Sequence, residues 1–166
     1  MRSLLGALAL LPLELAAQTV FDRAYSVAGD TTSAPFANMA ITGTADHELY
    51  SATGQTLENG TGTPVPFILA QRTAADGSVA WRRKYMHSGG EGFVVLGTGS
   101  LNDGSLITYG SGLYPLSGPK AYYLRADEDG LPMTAKWYVQ GSQSTQLEDV
   151  HQVNDSTLLF CGRTHV

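Results

Sequence analysis

The sequence predicts an all-β fold of antiparallel four-stranded repeats, about 2.5 of them, and three observations lead there. Nineteen glycines accompany abundant Thr and Ser, while charged residues make up only 15% of the 166 residues; this is the composition of short strands joined by tight turns. Gly, Pro and Asp-Gly punctuation recurs too often for helices of useful length, and no 3.6-residue apolar period is evident beyond the N-terminal segment. Finally, three kinds of segment recur in the same order, 52 to 60 residues apart.

Taken in order, the chain opens with Arg2, the apolar run from Leu4 to Leu11, Pro12 and the small pair Ala16-Ala17. That is the layout of a secretory signal peptide over residues 1–17, with cleavage after Ala17. The apolar run is far short of the ~20 residues of a membrane span, so no span is expected in the mature chain, 18–166.

The first recurring segment is a turn followed by an aromatic strand. Asp76-Gly77 leads to Trp81 and Tyr85, and Asp129-Gly130 leads to Trp137 and Tyr138, at an offset of 53. A copy without its turn stands at Phe21-Asp22-Arg23-Ala24-Tyr25. The second is a polar turn leading into an apolar strand expected to end at glycine: Asp46 to Gly54, Asn102 to Gly110 and Asn154 to Gly162. The third is an apolar run, Arg, three residues and Asp-Gly, at Arg72 and again at Arg125.

An apolar segment precedes each glycine-bearing strand, which gives four strands per ~50 residues, the count of a propeller blade. The approximate repeats are 20–75, 76–128 and an incomplete 129–166. The Asp-Gly pairs fit turns that need a positive φ. The pattern Arg-x-x-x-Asp-Gly-x-x-x-Trp-x-x-x-Tyr, then Asp-Gly-Ser-Leu-Ile-x-x-Gly, resembles the repeats of secreted bacterial β-propeller-like proteins of the Bacteroidetes type. The resemblance covers residues 20–164. One departure is Thr134 at the place of Trp81, with Trp137 displaced by three. Relatives of this kind serve mostly as adhesion or binding scaffolds.

A closed propeller needs four to eight blades, so the chain is expected to be a fragment or truncated copy of a longer protein. The alternatives are a compact sandwich or an oligomer that completes itself. The expected function is a secreted or cell-surface, non-enzymatic binding or adhesion scaffold for an extracellular protein or carbohydrate. The competing readings are an exported propeller-type glycoside hydrolase or lyase, and a structural spacer of a longer surface protein.

The net charge of −5 argues against nucleic acid, whose phosphates call for a cationic surplus. The basic run Arg82-Arg83-Lys84 reads as a solvated strand face. The catalytic signatures of hydrolases, zinc proteases and nucleotide-binding loops are absent from the sequence, and no catalytic residue is assigned. Histidines 47, 87, 151 and 165 share no metal-ligand spacing and read as surface or turn residues. Asp127 and Asp129 are weak candidates for Ca²⁺, since alternating carboxylates before a glycine suit a hard cation, but a plain turn accounts for them better. Trp81, Tyr85, Trp137 and Tyr138 form a weak candidate ligand platform, with Tyr114 beside them; strand aromatics more commonly pack in the core. Cys161, the single cysteine, is expected as a small apolar residue in a buried strand. Asn59 and Asn154 head formal glycosylation sequons.

Overall fold

A computed structural model describes residues 32–33, 39–58, 64–86, 92–114, 118–138 and 143–165. The expected signal segment, the motif copy at 21–25, Asn59 and His87 lie outside them. Every regular element described is a β-strand and every pairing is antiparallel. No helix among the described residues is long and apolar enough to cross a membrane.

The first sheet holds β2 (Met39–Gly43), β3 (Leu49–Glu58), β4 (Pro64–Thr73) and β5 (Val79–Met86) in sequence order. The short β1 (Thr32–Ser33) pairs with residues 56–57 of β3 on the edge that β2 occupies further along, so the sheet is four strands wide. The second sheet is β6 (Gly92–Ser100), β7 (Leu106–Tyr114), β8 (Gly118–Ala126) and β9 (Pro132–Tyr138). A hairpin of β10 (Ser144–Asn154) and β11 (Thr157–His165) follows. The sheets divide the chain after each fourth strand, at 87–91 and 139–142, and each Asp-Gly turn lies inside a sheet.

Four hairpin turns share one hydrogen-bond pattern. The amides of Thr44, Ala74, Leu101 and Asp127 donate to the carbonyls four residues on, and the amides of His47, Gly77, Gly104 and Gly130 donate back to the turn's first carbonyl. This is a type I turn closed by a left-handed residue. Three of those residues are the glycines of the Asp-Gly pairs, with φ of 81°, 81° and 75°. The fourth, His47 at φ 61°, was hidden because no glycine marks it.

Two sequence expectations are corrected. The glycine-bearing strands do not end at glycine; β3, β7 and β11 run on to Glu58, Tyr114 and His165. Gly110 and Gly162 face register irregularities in the partner strand, between Val95 and Gly97 and between Leu147 and Asp149. A methyl on either would overlap the carbonyl of Val94 or Gln146, so glycine makes room for a bulge. Matching Gly54 to Gly110 is also out by one residue. His47 and Gly104 hold the same turn position, which places Gly54 with Ser111 and Tyr50 with Ile107. A one-residue slip exchanges the faces of a strand: Tyr50 faces the second sheet, as Ile107 faces the β10–β11 hairpin, whereas Leu106 faces back toward the first sheet.

The sheets stack in series over two cores. Between the first and second lie Tyr50, Ala52, Ile68, Ala70, Phe93, Val95, Leu106 and Tyr122. Between the second and the hairpin lie Leu101, Ile107, Tyr109, Ala121, Tyr123 and Leu147, with Phe160 against them. The first strand of each later sheet crosses the preceding one, β6 over β2 and β3, β10 over β7 and β8.

Candidate functional site

An open cleft of about 740 Å³ lies at the turn end of the first two sheets. The turns at 43–46 and 100–104 form its walls, with Leu106, Arg72 and Glu128 closing it. Its side chains are set by the repeat. Arg72 lies on β4 opposite Tyr50, one residue before the register shift that opens the β4–β5 turn. Its Nε pairs with the Glu48 carboxylate, and its Nη1 donates to the Glu128 carbonyl at 2.8 Å. The pair is mostly buried, at 18% and 19% exposure, so each charge offsets the other's desolvation. Arg125 holds the same place in the second sheet. Its Nε donates to Ser105 Oγ at 2.8 Å and its Nη2 pairs with Asp103. The Ser105 hydroxyl and, after it, the Arg125 charge hold the Asp103 carboxyl below its usual range.

β5 grips the neighbouring β8–β9 turn. The Trp81 indole N–H donates to the Glu128 carbonyl at 2.7 Å, the Tyr85 hydroxyl to the Gly130 carbonyl at 2.7 Å, and Arg83 to the Asp129 carbonyl at 3.3 Å. Burial drives the Tyr85 hydroxyl well above its ordinary pKa, keeping it a neutral donor. Inside the turn, Asp127 Oδ1 accepts the amides of Asp129 (3.0 Å) and Leu131 (2.7 Å), an Asx arrangement. Of the two carboxylates weighed for Ca²⁺, Asp127 thus has one oxygen engaged by its own turn. Among the described residues no three His, Cys, Asp or Glu side chains gather as a metal site.

The four platform aromatics divide between the cores. Trp81, Tyr85 and Trp137 pack against the first. Trp81 tilts against Tyr50 with ring centres 6.0 Å apart; Trp137 lies 5.3 Å from Tyr122 and 5.8 Å from Phe93. Tyr138 faces the other way, toward Tyr123 and Phe160. Trp81, Trp137 and Tyr138 each lie against another ring, and Trp137 and Tyr138, adjacent in β9, face opposite sides of the sheet. The side chain of Tyr114 lies outside the described residues.

In the run 82–84, Arg82 donates twice to Gln71 Oε1, at 2.9 and 2.6 Å, Arg83 is committed to the β8–β9 turn, and the Lys84 ammonium stands 5.1 Å from the centre of the Phe67 ring. His151 is exposed on β10. Cys161 is exposed rather than buried: β11 pairs with β10 alone among the described residues, and Cys161 faces away from the core. Legible in the sequence was the Arg-x-x-x-Asp-Gly pattern; missed was its use, an arginine tying each turn to its sheet. The signal available was an acidic or hydroxyl residue (Glu48, Asp103, Ser105) in the preceding turn of the same repeat. Compared with known proteins, the chain matches no family model and no curated protein.

Proposed function

We propose that the chain is an exported, propeller-like repeat scaffold that binds an extracellular protein or carbohydrate at the turn end of its sheets and carries out no reaction. The observation that carries this reading is that three carboxylates flanking the turn-end cleft, beside its lining residues Asp46 and Glu128, are committed to structural contacts. Glu48 is held by Arg72, Asp103 by Arg125 and Ser105, and Asp127 by two backbone amides. General acid–base work wants a carboxylate poised near the working pH beside a reactive centre. Carboxylates held by arginines, a hydroxyl and backbone amides instead give a stiff polar surface, suited to recognition. The blade-like reading is supported by the stacking of two four-stranded sheets and a hairpin, and by the geometry shared by four turns of the two sheets. Export is supported by the layout of residues 1–17 alone.

The test is to express the chain in a secreting bacterial host and present the product to polysaccharide and matrix-protein arrays. The expected result is an N-terminus at Gln18 and saturable binding to one ligand class that Asp46→Ala, at an exposed position lining the cleft, weakens at least tenfold with the melt intact. Release of reducing ends or unsaturated sugars from a bound polysaccharide overturns the non-enzymatic reading. Recovery of intact Met1 from the medium overturns the cleavage.

A further inference from the structure

The β10–β11 hairpin leaves open an edge that both four-stranded sheets fill. In those sheets the second strand is paired on both sides, β3 with β2 and β4, and β7 with β6 and β8. β11 holds the same place in the third unit and, among the described residues, pairs with β10 alone. Exposure agrees: Ile107, Tyr109 and Gly110 of β7 are buried, while the matching Leu159, Cys161 and Gly162 of β11 are exposed. The main-chain groups along such an edge are a template for a further strand.

Beside the edge, an open groove of about 510 Å³ runs between the hairpin and the second sheet. Its lining includes Ala121, Tyr138, Thr145, Gly162 and Thr164, and also Arg163, which pairs with Glu148. The repeat holds a counterpart between the first two sheets. Ile68 opposite Tyr85 matches Ala121 opposite Tyr138, and Phe93 opposite Gly112 matches Thr145 opposite Thr164. There the space is reduced to about 70 Å³, because Tyr122 of β8 points into it. Tyr122 lies opposite Gly110, is 2% exposed and meets the Phe93 ring edge-on at 5.5 Å. In the groove under the hairpin no described residue takes the place of Tyr122. Gly162 stands where Gly110 does, and the walls are smaller, with Ala121 for Ile68 and Thr145 for Phe93.

From this edge and groove together we infer that β11 docks an extended strand of a partner polypeptide, which pairs antiparallel with it and sets a large aromatic side chain opposite Gly162. Main-chain hydrogen bonds along the edge supply affinity, and the groove selects the side chains that point into it. The ring packs on Tyr138 as Tyr122 packs on its neighbours. A second copy of this chain is a poorer occupant. Pairing β11 with its own copy about a twofold axis would bring the copy's second sheet to the same side of the joined sheet, where β8 and β9 already lie. The inference rests on the edge and the groove, apart from the cleft between the first two sheets, and the binding reading can fail without affecting it.

The probe is a synthetic peptide of residues 118–126, the strand that fills the matching edge of β7. The expected result is saturable binding to the purified chain with a Kd below about 1 mM, lost when the peptide carries Tyr122→Asp. Register is read through Cys161, the single cysteine of the chain, which is exposed and holds the place of Tyr109, opposite Tyr123. A peptide carrying Tyr123→Cys should form a disulfide with Cys161 in a glutathione buffer at least tenfold faster than one carrying Ala126→Cys. Directly opposite residues lie about 5 Å apart, and a displacement of three residues adds about 10 Å, beyond disulfide reach. No saturable binding up to about 1 mM, binding that Tyr122→Asp leaves unchanged, or equal cross-linking at the two positions overturns the inference. So does a dimer of the chain alone that the peptide dissociates, since the edge then belongs to a second copy.

Discussion

Gly54→Ala tests the closest approach of the two main sheets. Gly54 sits on β3 opposite Ile68 and faces β6. A methyl there would overlap the Phe93 carbonyl oxygen and come within 2.8 Å of its carbon and 3.4 Å of the Phe93 Cβ. Carbon atoms in contact rest near 3.5–4.0 Å, so the backbones of β3 and β6 must separate by roughly 1 Å. A gap of that size forfeits about a quarter to a half of each dispersion contact it opens, and here it runs beside the Tyr50–Trp81 and Phe93–Tyr122 pairs. Overpacking typically costs about 1–3 kcal/mol. The obstacle is a carbonyl rather than the tip of a side chain, which puts the expected loss at the upper end, about 3 kcal/mol. In a urea titration, with m of about 1–3 kcal/mol/M, that lowers the midpoint by roughly 1–3 M at unchanged m. The paired control is Gly43→Ala, at the end of β2, where a methyl meets nothing within 4 Å; it should be neutral or raise stability by up to about 1 kcal/mol. A loss below about 1 kcal/mol for Gly54→Ala, or equal effects of the two variants, refutes the close-approach argument.

Two tyrosines of the first core should respond oppositely to loss of the hydroxyl. The Tyr122 hydroxyl is buried with no hydrogen-bond partner, so Tyr122→Phe should be neutral or stabilising, by up to about 2 kcal/mol in chemical denaturation. Tyr50→Phe removes a 2.5 Å bond and strands Thr108 Oγ1 in the core, at an expected cost of about 1–2 kcal/mol by the same measurement. Burial raises the folded pKa of Tyr50 from 10.0 to about 12, so the unfolded chain loses that proton first. The folded state should therefore lose up to ~3 kcal/mol as the pH rises from 10 through 12, and Tyr50→Phe should flatten the slope of stability over that range. His47 holds the left-handed turn position at φ 61°, and His47→Gly should raise the melting temperature by a few degrees, for a gain of about 1 kcal/mol.

Sequence and structure divide where local chemistry gives way to packing. The Asp-Gly turns were legible because a left-handed residue closing a type I turn favours glycine for local steric reasons; His47 escaped because its φ is imposed by the hairpin rather than announced by its residue type. Strand β5 was legible from the Asp76-Gly77 turn and the aromatics that follow it, yet which way Trp81, Trp137 and Tyr138 face was not, since one residue of register exchanges the faces and register is settled by pairing with β4 and β8. The arginine of each third strand was visible as a pattern. Its role required knowing that the preceding turn, more than 20 residues back in sequence, lies beside it.

By itself, then, the sequence determined that this protein is made of β-strands, where its turns fall and roughly how long its repeat is, because composition, turn chemistry and spacing are properties of neighbours along the chain. Only the tertiary structure decided that Gly110 and Gly162 sit in mid-strand against bulges, that Trp81 and Trp137 pack between the first two sheets, that Cys161 is exposed, and that Glu48 and Asp103 pair with arginines. Each of those depends on which residues meet across a sheet or between sheets, and burial and pairing are settled by that packing.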